Sequence, residues 1–500
     1  MRYNADLYKL IKTLTKSEKR YFKIYCAQHT KNESNNYILL FDAIDRQEAF
    51  NEEKLKRKFR NHTFGKNLAK TKYLLYELIV KMMLQLRKGK DIDSKIRLLL
   101  DAVEFHYSKS LYDQADVSLQ KAKKLAKFFE HYGYWIEAIK WEIKLSKYTK
   151  NSNDSSQQLI NNEYKSVKEL LIHEMNIKAL FQKIQLLSES AFNSPMNELV
   201  FELNILFESR LITKYNAKTF LSKLYMQEIL VLRALATKNF ELAFSCLDEI
   251  YNLWNEHTEK IAIFPDDFIR FCKTYMSCST SARSKGIYYD ELLGRFLEVK
   301  KVCTVDDDKI FFEASMYDFI FNLVSENHEV CTIQLFTIKD LIGKYIDKLS
   351  FKDTINLYYH ISVFYFLKEE YRETLDWIGK IQRLETKNES SNLRGYCHLL
   401  SLVSKYEEQA FNELESDLQN AHQFLRTRKV LQPIEYLILG CIEKLINTKH
   451  KSEELSLLTK LLNSLQNTSE GNLPYKITAN NAICNWARGK ISNENTPLFN

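Results

Sequence analysis

The chain has 500 residues, 45% of them hydrophobic, which is ample for a buried core, and its formal charge of +8 is modest for that length. Its 11 glycines and 5 prolines make about 3% together against roughly 12% in average proteins, so few chain-breakers point to long helices joined by short polar turns. The nine cysteines (Cys26, Cys246, Cys272, Cys278, Cys303, Cys331, Cys397, Cys441 and Cys484) are odd in number and scattered without a C-x-x-C pair, the pattern of reduced, buried thiols rather than of a disulfide framework.

The charge is uneven. Residues 1–100 carry 23 Lys and Arg against 11 Asp and Glu, a net of +12, which leaves −4 for the remainder. Met1 to Lys19 lacks the apolar centre of a secretion signal. The longest apolar run, Leu357 to Leu367, contains His360 and falls far short of the ~20 residues that span a bilayer. No membrane association is expected, and the expected location is cytoplasmic. The 29 Tyr and 30 Phe have a bland explanation in codon bias, which would raise Phe, Tyr, Lys, Asn and Ile together.

Apolar residues recur at three and four along almost the whole chain, the period of amphipathic helices, so the fold class is all-α. Residues 5–14 read as a short helix, and Thr15-Lys16-Ser17-Glu18 has the spacing of a capping box before a helix over 16–29. Helices follow at 37–48, at 52–60 with Asn51 as N-cap, and at 67–87, and Lys88-Gly89-Lys90 closes a basic N-terminal domain, 1–90. Helices 37–48, 52–60 and 67–87 loosely resemble a helix-turn-helix core. That resemblance implies DNA contacts from the start of the third helix, Lys66, Asn67, Lys70, Thr71 and Lys72, beside the basic second helix with Lys54, Arg57, Lys58 and Arg60.

From Asp93 paired stripes appear. Leu99, Ala102, Val103 and His106 precede Tyr112, Ala115, Leu119 and Ala122. Gly133 opens a further helix, and others are expected over 158–174, 177–192 and 197–211. The pair 217–236 and 240–256 repeats the pattern with Phe240, Ala243, Leu247 and Ile250. Pro265 fits a helix start, and Ser277 to Lys285 reads as a connection. Helices near 286–302, 307–326 and 329–347 lead to the clearest copy. There Tyr358, Ile361, Ser362 and Tyr365 share one helix face, and Tyr371, Thr374, Ile378 and Ile381 share the next. Small side chains at Ser362 and Thr374 would let the two backbones approach closely. Helices over 391–405 and 407–427, a start at Pro433, and a last helix from Pro474 to about Arg488 complete a second domain, 91–490, before a polar tail, 491–500.

Tyr358-x2-Ile361-Ser362-x2-Tyr365 is similar to the opening aromatic-x2-Leu-Gly-x2-Tyr of a tetratricopeptide repeat, with Ser for Gly, and Thr374 and Ile378 in place of the alanines. Ala115, Ala122 and Ala243 sit where that pattern wants small residues, and Tyr406 follows Tyr371 by 35. The resemblance implies an irregular α-α solenoid, a tetratricopeptide-like superhelix, behind the basic N-terminal helical domain. It also implies a surface that binds a protein or peptide.

Catalytic motifs are not in view. The closest glycines, Gly286 and Gly294, lack the spacing and the Lys-Ser/Thr of a phosphate loop. His328-x2-Cys331, Cys272-x5-Cys278 and Cys397-His398 are isolated pairs, poor in zinc ligands. Asp306-Asp307-Asp308 suits a helix N-terminus better than a metal. The expected function is therefore a non-enzymatic, cofactor-free protein-binding scaffold or adaptor. The alternative is a nucleic-acid-binding regulator acting through residues 1–90.

Overall fold

In the computed structural model the described residues are 3–29, 34–87, 89, 91–148, 154–190, 217–299, 307–384, 391–427, 433–448, 450–466 and 474–495. Among them there are α-helices and short 3-10 turns but no strand, and helices pack on their neighbours in chain order. The fold is all-α and solenoid-like. The helix expected over 197–211, and Cys303, lie outside the described residues.

Two compact units emerge, Met1–Lys168 and Glu169–Asn500. The first contains α1 (Tyr3–Thr13), α2 (Lys16–His29), α3 (Ser34–Asp45), α4 (Glu52–Lys58), α5 (Leu68–Arg87), α6 (Ile92–Ser108), α7 (Tyr112–Phe128), α8 (Tyr132–Leu145) and the start of α9 (Asp154–Ser190). Its apolar residues form two clusters. Leu7, Phe22, Phe41, Leu55, Phe59, Leu75 and Ile79 belong to one, and Ile96, Val103, Ala115, Leu119 and Ala122 to the other. The expected capping box is formed, with the Thr15 N–H donating to Glu18 Oε2 at 2.8 Å and the Glu18 N–H to Thr15 Oγ1 at 3.2 Å. Asn51 caps α4 by accepting from the Lys54 N–H at 2.9 Å.

The second unit continues from α9 through α10 (Phe220–Ala236), α11 (Phe240–Glu256), α12 (Pro265–Ala282), α13 (Tyr289–Glu298), α14 (Asp307–Val324) and α15 (His328–Tyr345). It then runs through α16 (Phe351–Leu367), α17 (Tyr371–Arg383), α18 (Ser391–Glu407), α19 (Phe411–Thr427), α20 (Pro433–Asn447), α21 (Lys451–Gln466) and α22 (Pro474–Asn495). Nearly every residue of α16 from Ile355 to Phe366 is buried, as expected of a helix apolar on all sides. It packs between α14, α17, α18 and α22.

The scarcity of glycine is resolved at the turns. Ser110, Glu130, Lys238, Arg283, Glu326, Glu369 and Gln409 adopt left-handed φ between 52° and 64°. In each case the next N–H reaches back to the carbonyl five residues earlier, as in Leu111 to His106 at 2.9 Å and Glu370 to Tyr365 at 3.0 Å. This is the Schellman closure that glycine usually provides. One residue later an aromatic ring often opens the following helix, and Tyr112, Tyr371 and Phe411 each touch the ring five residues back, at Tyr107, Phe366 and Tyr406. The second-helix position after α18 is thus held by Phe411, while Tyr406 ends the preceding helix.

Three expected boundaries differ. The helices expected at 158–174 and 177–192 are one continuous helix, α9, because no glycine or proline separates them. The connection expected at 277–285 is helical to Ala282, since Thr280 and Ser281 return their hydroxyls to the carbonyls of Met276 and Ser277, both at 2.9 Å, and keep the helical path. The segment expected to be a tail from 491 remains helical to Asn495 as part of α22.

Candidate functional site

The basic face begins where α4 ends. Gly65 lies so close to the Phe59 carbonyl oxygen that an added methyl group would collide with it, which folds the 3-10 turn Thr63–Asn67 back onto α4. Lys54, Arg57, Lys58, Arg60, Lys66, Asn67 and Lys70 are exposed, and Thr71 is half-buried. Lys56 of the same helix is paired with Glu53 at 2.9 Å. Lys72 is a correction to the expected contact set. It is 2% exposed, and its ammonium lies 2.8 Å from Glu52, because position 72 points into the apolar cluster that α5 shares with α1, α2 and α3.

The positions singled out for repeat packing lie inside. Ile361, Ser362, Tyr365, Thr374, Ile378, Ile381, Ala115, Ala122 and Ala243 are buried, and Tyr358 and Tyr371 are half-buried. They form the walls between helices and leave the outer faces to other residues. On α15, Val330, Ile333 and Phe336 fall three apart along one face and are 43%, 74% and 81% exposed. Periodicity alone could not separate this row from the core row of Cys331, Leu335 and Ile338 on the same helix.

A second surface lies where α22, packed on the preceding helix α21, crosses α14, α16 and α18. Trp486 donates its indole N–H to Glu407 Oε1 at 2.7 Å, and Lys490 pairs with Glu407 Oε2 at 2.7 Å. The Trp486 ring meets Tyr406 edge-on, and the Tyr406 hydroxyl donates to Glu454 at 3.1 Å. Beside them a cavity of about 350 Å³ is bordered by Glu369, Tyr371, Lys451, Glu454 and Gly489 among others. Burial, followed by the charge of Glu407, holds the Tyr371 hydroxyl well above the usual tyrosine range.

Tyrosine hydroxyls tie helices together through carboxylates that are half-buried or, at Asp308, exposed. Tyr225–Asp267, Tyr275–Asp248, Tyr289–Asp318, Tyr317–Asp353, Tyr345–Asp308 and Tyr406–Glu454 are all hydroxyl-to-carboxylate bonds of 3.0 to 3.2 Å. They give the abundance of tyrosine a physical role beyond codon bias. Asp308, expected at a helix N-terminus, also pairs with Lys344 at 2.8 Å. Glu228, 5% exposed in its side chain, takes a forked bond from Arg270 at 2.9 and 3.2 Å, and the same guanidinium reaches Asp267 at 2.7 Å. Burial pushes the Glu228 carboxyl up to about 7 against the opposing pull of Arg270.

The described cysteines offer little nucleophilic character. Burial pushes the thiols of Cys278, Cys331 and Cys397 up to about 12 and those of Cys26 and Cys441 to about 11. Cys331 and Cys397 are buried in the same apolar core. Among the described residues, no group of three or more His, Cys, Asp or Glu converges as a metal site, and no helix is long and apolar enough to cross a membrane. Compared with protein-family models, curated proteins and solved structures, the chain matches none.

Proposed function

We propose that this chain is a non-enzymatic scaffold of the cytoplasm that holds another protein on a tetratricopeptide-like helical surface. The observation that carries the reading is the exposed row Val330, Ile333 and Phe336 on α15. Large apolar side chains aligned on a solvent face mark interaction sites more often than scattered ones do. The neighbouring turn of the same helix is already anchored by Cys331, Leu335 and Ile338 in the core, so the row is presented on a rigid support.

Ile333→Asp combined with Phe336→Asp should reduce retention of proteins captured by the wild-type chain by roughly 30-fold, the loss of about 2 kcal/mol at an interface hot spot. The melting temperature should stay unchanged, because exposed positions move stability by no more than about 0.5 kcal/mol. Equal retention by both chains would remove this row as the support for the reading.

A second reading, binding of nucleic acid through residues 1–90, is favoured by Lys54, Arg57, Lys58, Arg60, Lys66 and Lys70. They are exposed around one turn, and no described carboxylate pairs with them. Six phosphate contacts would give a log–log salt slope of about −5 on duplex DNA, and replacing Arg57, Lys66 and Lys70 by Glu should remove about half of it. Fluorescence anisotropy of the full chain with duplex DNA and single-stranded RNA at ~50 and ~200 mM salt measures both. Absence of binding at the lower salt would end this reading.

A further inference from the structure

We infer that α22 is a built-in occupant of a docking face, and that a partner's amphipathic helix, carrying a tryptophan and a cation four residues later, displaces it. This rests on the scaffold reading and adds to it the surface and the partner's chemistry.

The resident helix supplies the template. Ala482, Ile483, Trp486 and Ala487 are buried, and with Lys490 they occupy i, i+1, i+4, i+5 and i+8 along one face, which the half-buried Cys484 and Ile491 widen by packing against the same core. Ile483 and Trp486 are the large apolar residues buried there. Two polar anchors converge on one carboxylate, Glu407, which receives both the indole N–H and the Lys490 ammonium at 2.7 Å. The next four-residue step along that face thus pairs a ring with a positive charge, and the wall answers with Tyr406 and an acidic group. Helix-in-groove recognition reads anchors at this spacing.

Two features make the occupant replaceable. Asn480, Asn481, Asn485, Gly489 and Asn493 lie within its 22 residues, and Asn and Gly are poor helix formers. A helix of this composition depends on the surface it lies on rather than on its own propensity. The fit is also incomplete. The cavity of about 350 Å³ opens beside Gly489, and a Cβ added at Gly489 would meet nothing within 4 Å. A partner helix with a larger residue at that position would fill space that α22 leaves open. The face itself spans α14, α16 and α18 together with the preceding helix α21, so one docked helix reads several of them together.

The test uses the full chain and a labelled peptide with the sequence of residues 474–495, with Cys484→Ser to prevent oxidation. Trp486→Ala with Lys490→Glu unlatches the resident helix. The peptide should bind this variant at least about 10-fold more tightly than the wild-type chain, because the wild type presents the face only in the fraction of molecules that are open. Adding Glu407→Lys should abolish binding, and a peptide carrying Lys490→Glu should recover it.

Equal affinity for the latched and unlatched chains would overturn the inference. So would a variant that no longer folds by circular dichroism, since α22 would then be an integral part of the core. Peptide binding without any protein captured by either chain would count against the scaffold reading and leave the latch standing. Capture through Val330, Ile333 and Phe336 with no peptide binding would do the reverse.

Discussion

Arg270→Met is expected to destabilise the chain by about 3–5 kcal/mol, the usual result of removing one member of a buried ion pair. Glu228 is almost wholly inside, and the guanidinium provides its forked partner at 2.9 and 3.2 Å. The same guanidinium lies over the rings of Phe181 and Tyr225 at 5.0 and 5.5 Å, so packing is lost along with charge. Glu228→Leu together with Arg270→Met should restore part of the loss, because the most deeply buried charge is then removed, while Asp267 keeps only the Tyr225 hydroxyl as a partner.

The penalty of the single variant should also depend on pH. Burial already pushes the Glu228 carboxyl up to about 7, and without the cation it rises further. Above about 4.5 the unfolded chain releases that proton while the fold keeps it, so the folded state binds more protons and stability falls as pH rises. Urea midpoints at pH 5 and pH 8 should therefore show the larger loss at pH 8. An equal loss at both, or a double variant worse than the single, would contradict this account.

The second large effect concerns His360. Its Nδ1 lies 2.8 Å from the Asn356 carbonyl, its Nε2 has no hydrogen-bond partner among the described residues, and burial pulls its pKa from 6.5 down to about 4. Between those values the unfolded chain is protonated at this site and the fold is not, so stability is retained above pH 6.5 and lost as the pH falls toward 4. The shift corresponds to about 3 kcal/mol. His398, whose pKa burial also lowers, adds in the same direction. His360→Phe should flatten much of the acid limb of a stability–pH curve measured by urea denaturation. A curve that falls as steeply as the wild type's from pH 6.5 to 4 would place the acid sensitivity elsewhere.

Helix positions were legible because the apolar spacing, Asn51, Pro265, Pro433 and Pro474 act locally. The same local signals failed at Ser277–Ala282, where hydroxyls that usually favour a turn bond back along the helix instead. The turns carried a readable mark that propensity hides. The pairs Tyr107 and Tyr112, Phe366 and Tyr371, and Tyr406 and Phe411 are each five apart, around a left-handed residue that is not glycine. Candidate surfaces were less accessible. Lys72 and Lys70 differ by two positions and have opposite fates, because only tertiary packing decides which face of α5 is covered. The contact of Trp486 with Glu407 spans 79 residues, and nothing in a local window encodes it.

A stack joined solely by adjacent contacts can lengthen, shorten or melt from an end. The hydroxyls of Tyr225 and Tyr317 skip a helix to find Asp267 and Asp353, and that of Tyr406 reaches past two helices to Glu454. Removing or inserting one hairpin would part each phenol from its half-buried carboxylate, so these cross-braces tie the layers to one another in a set number and make their collapse concerted.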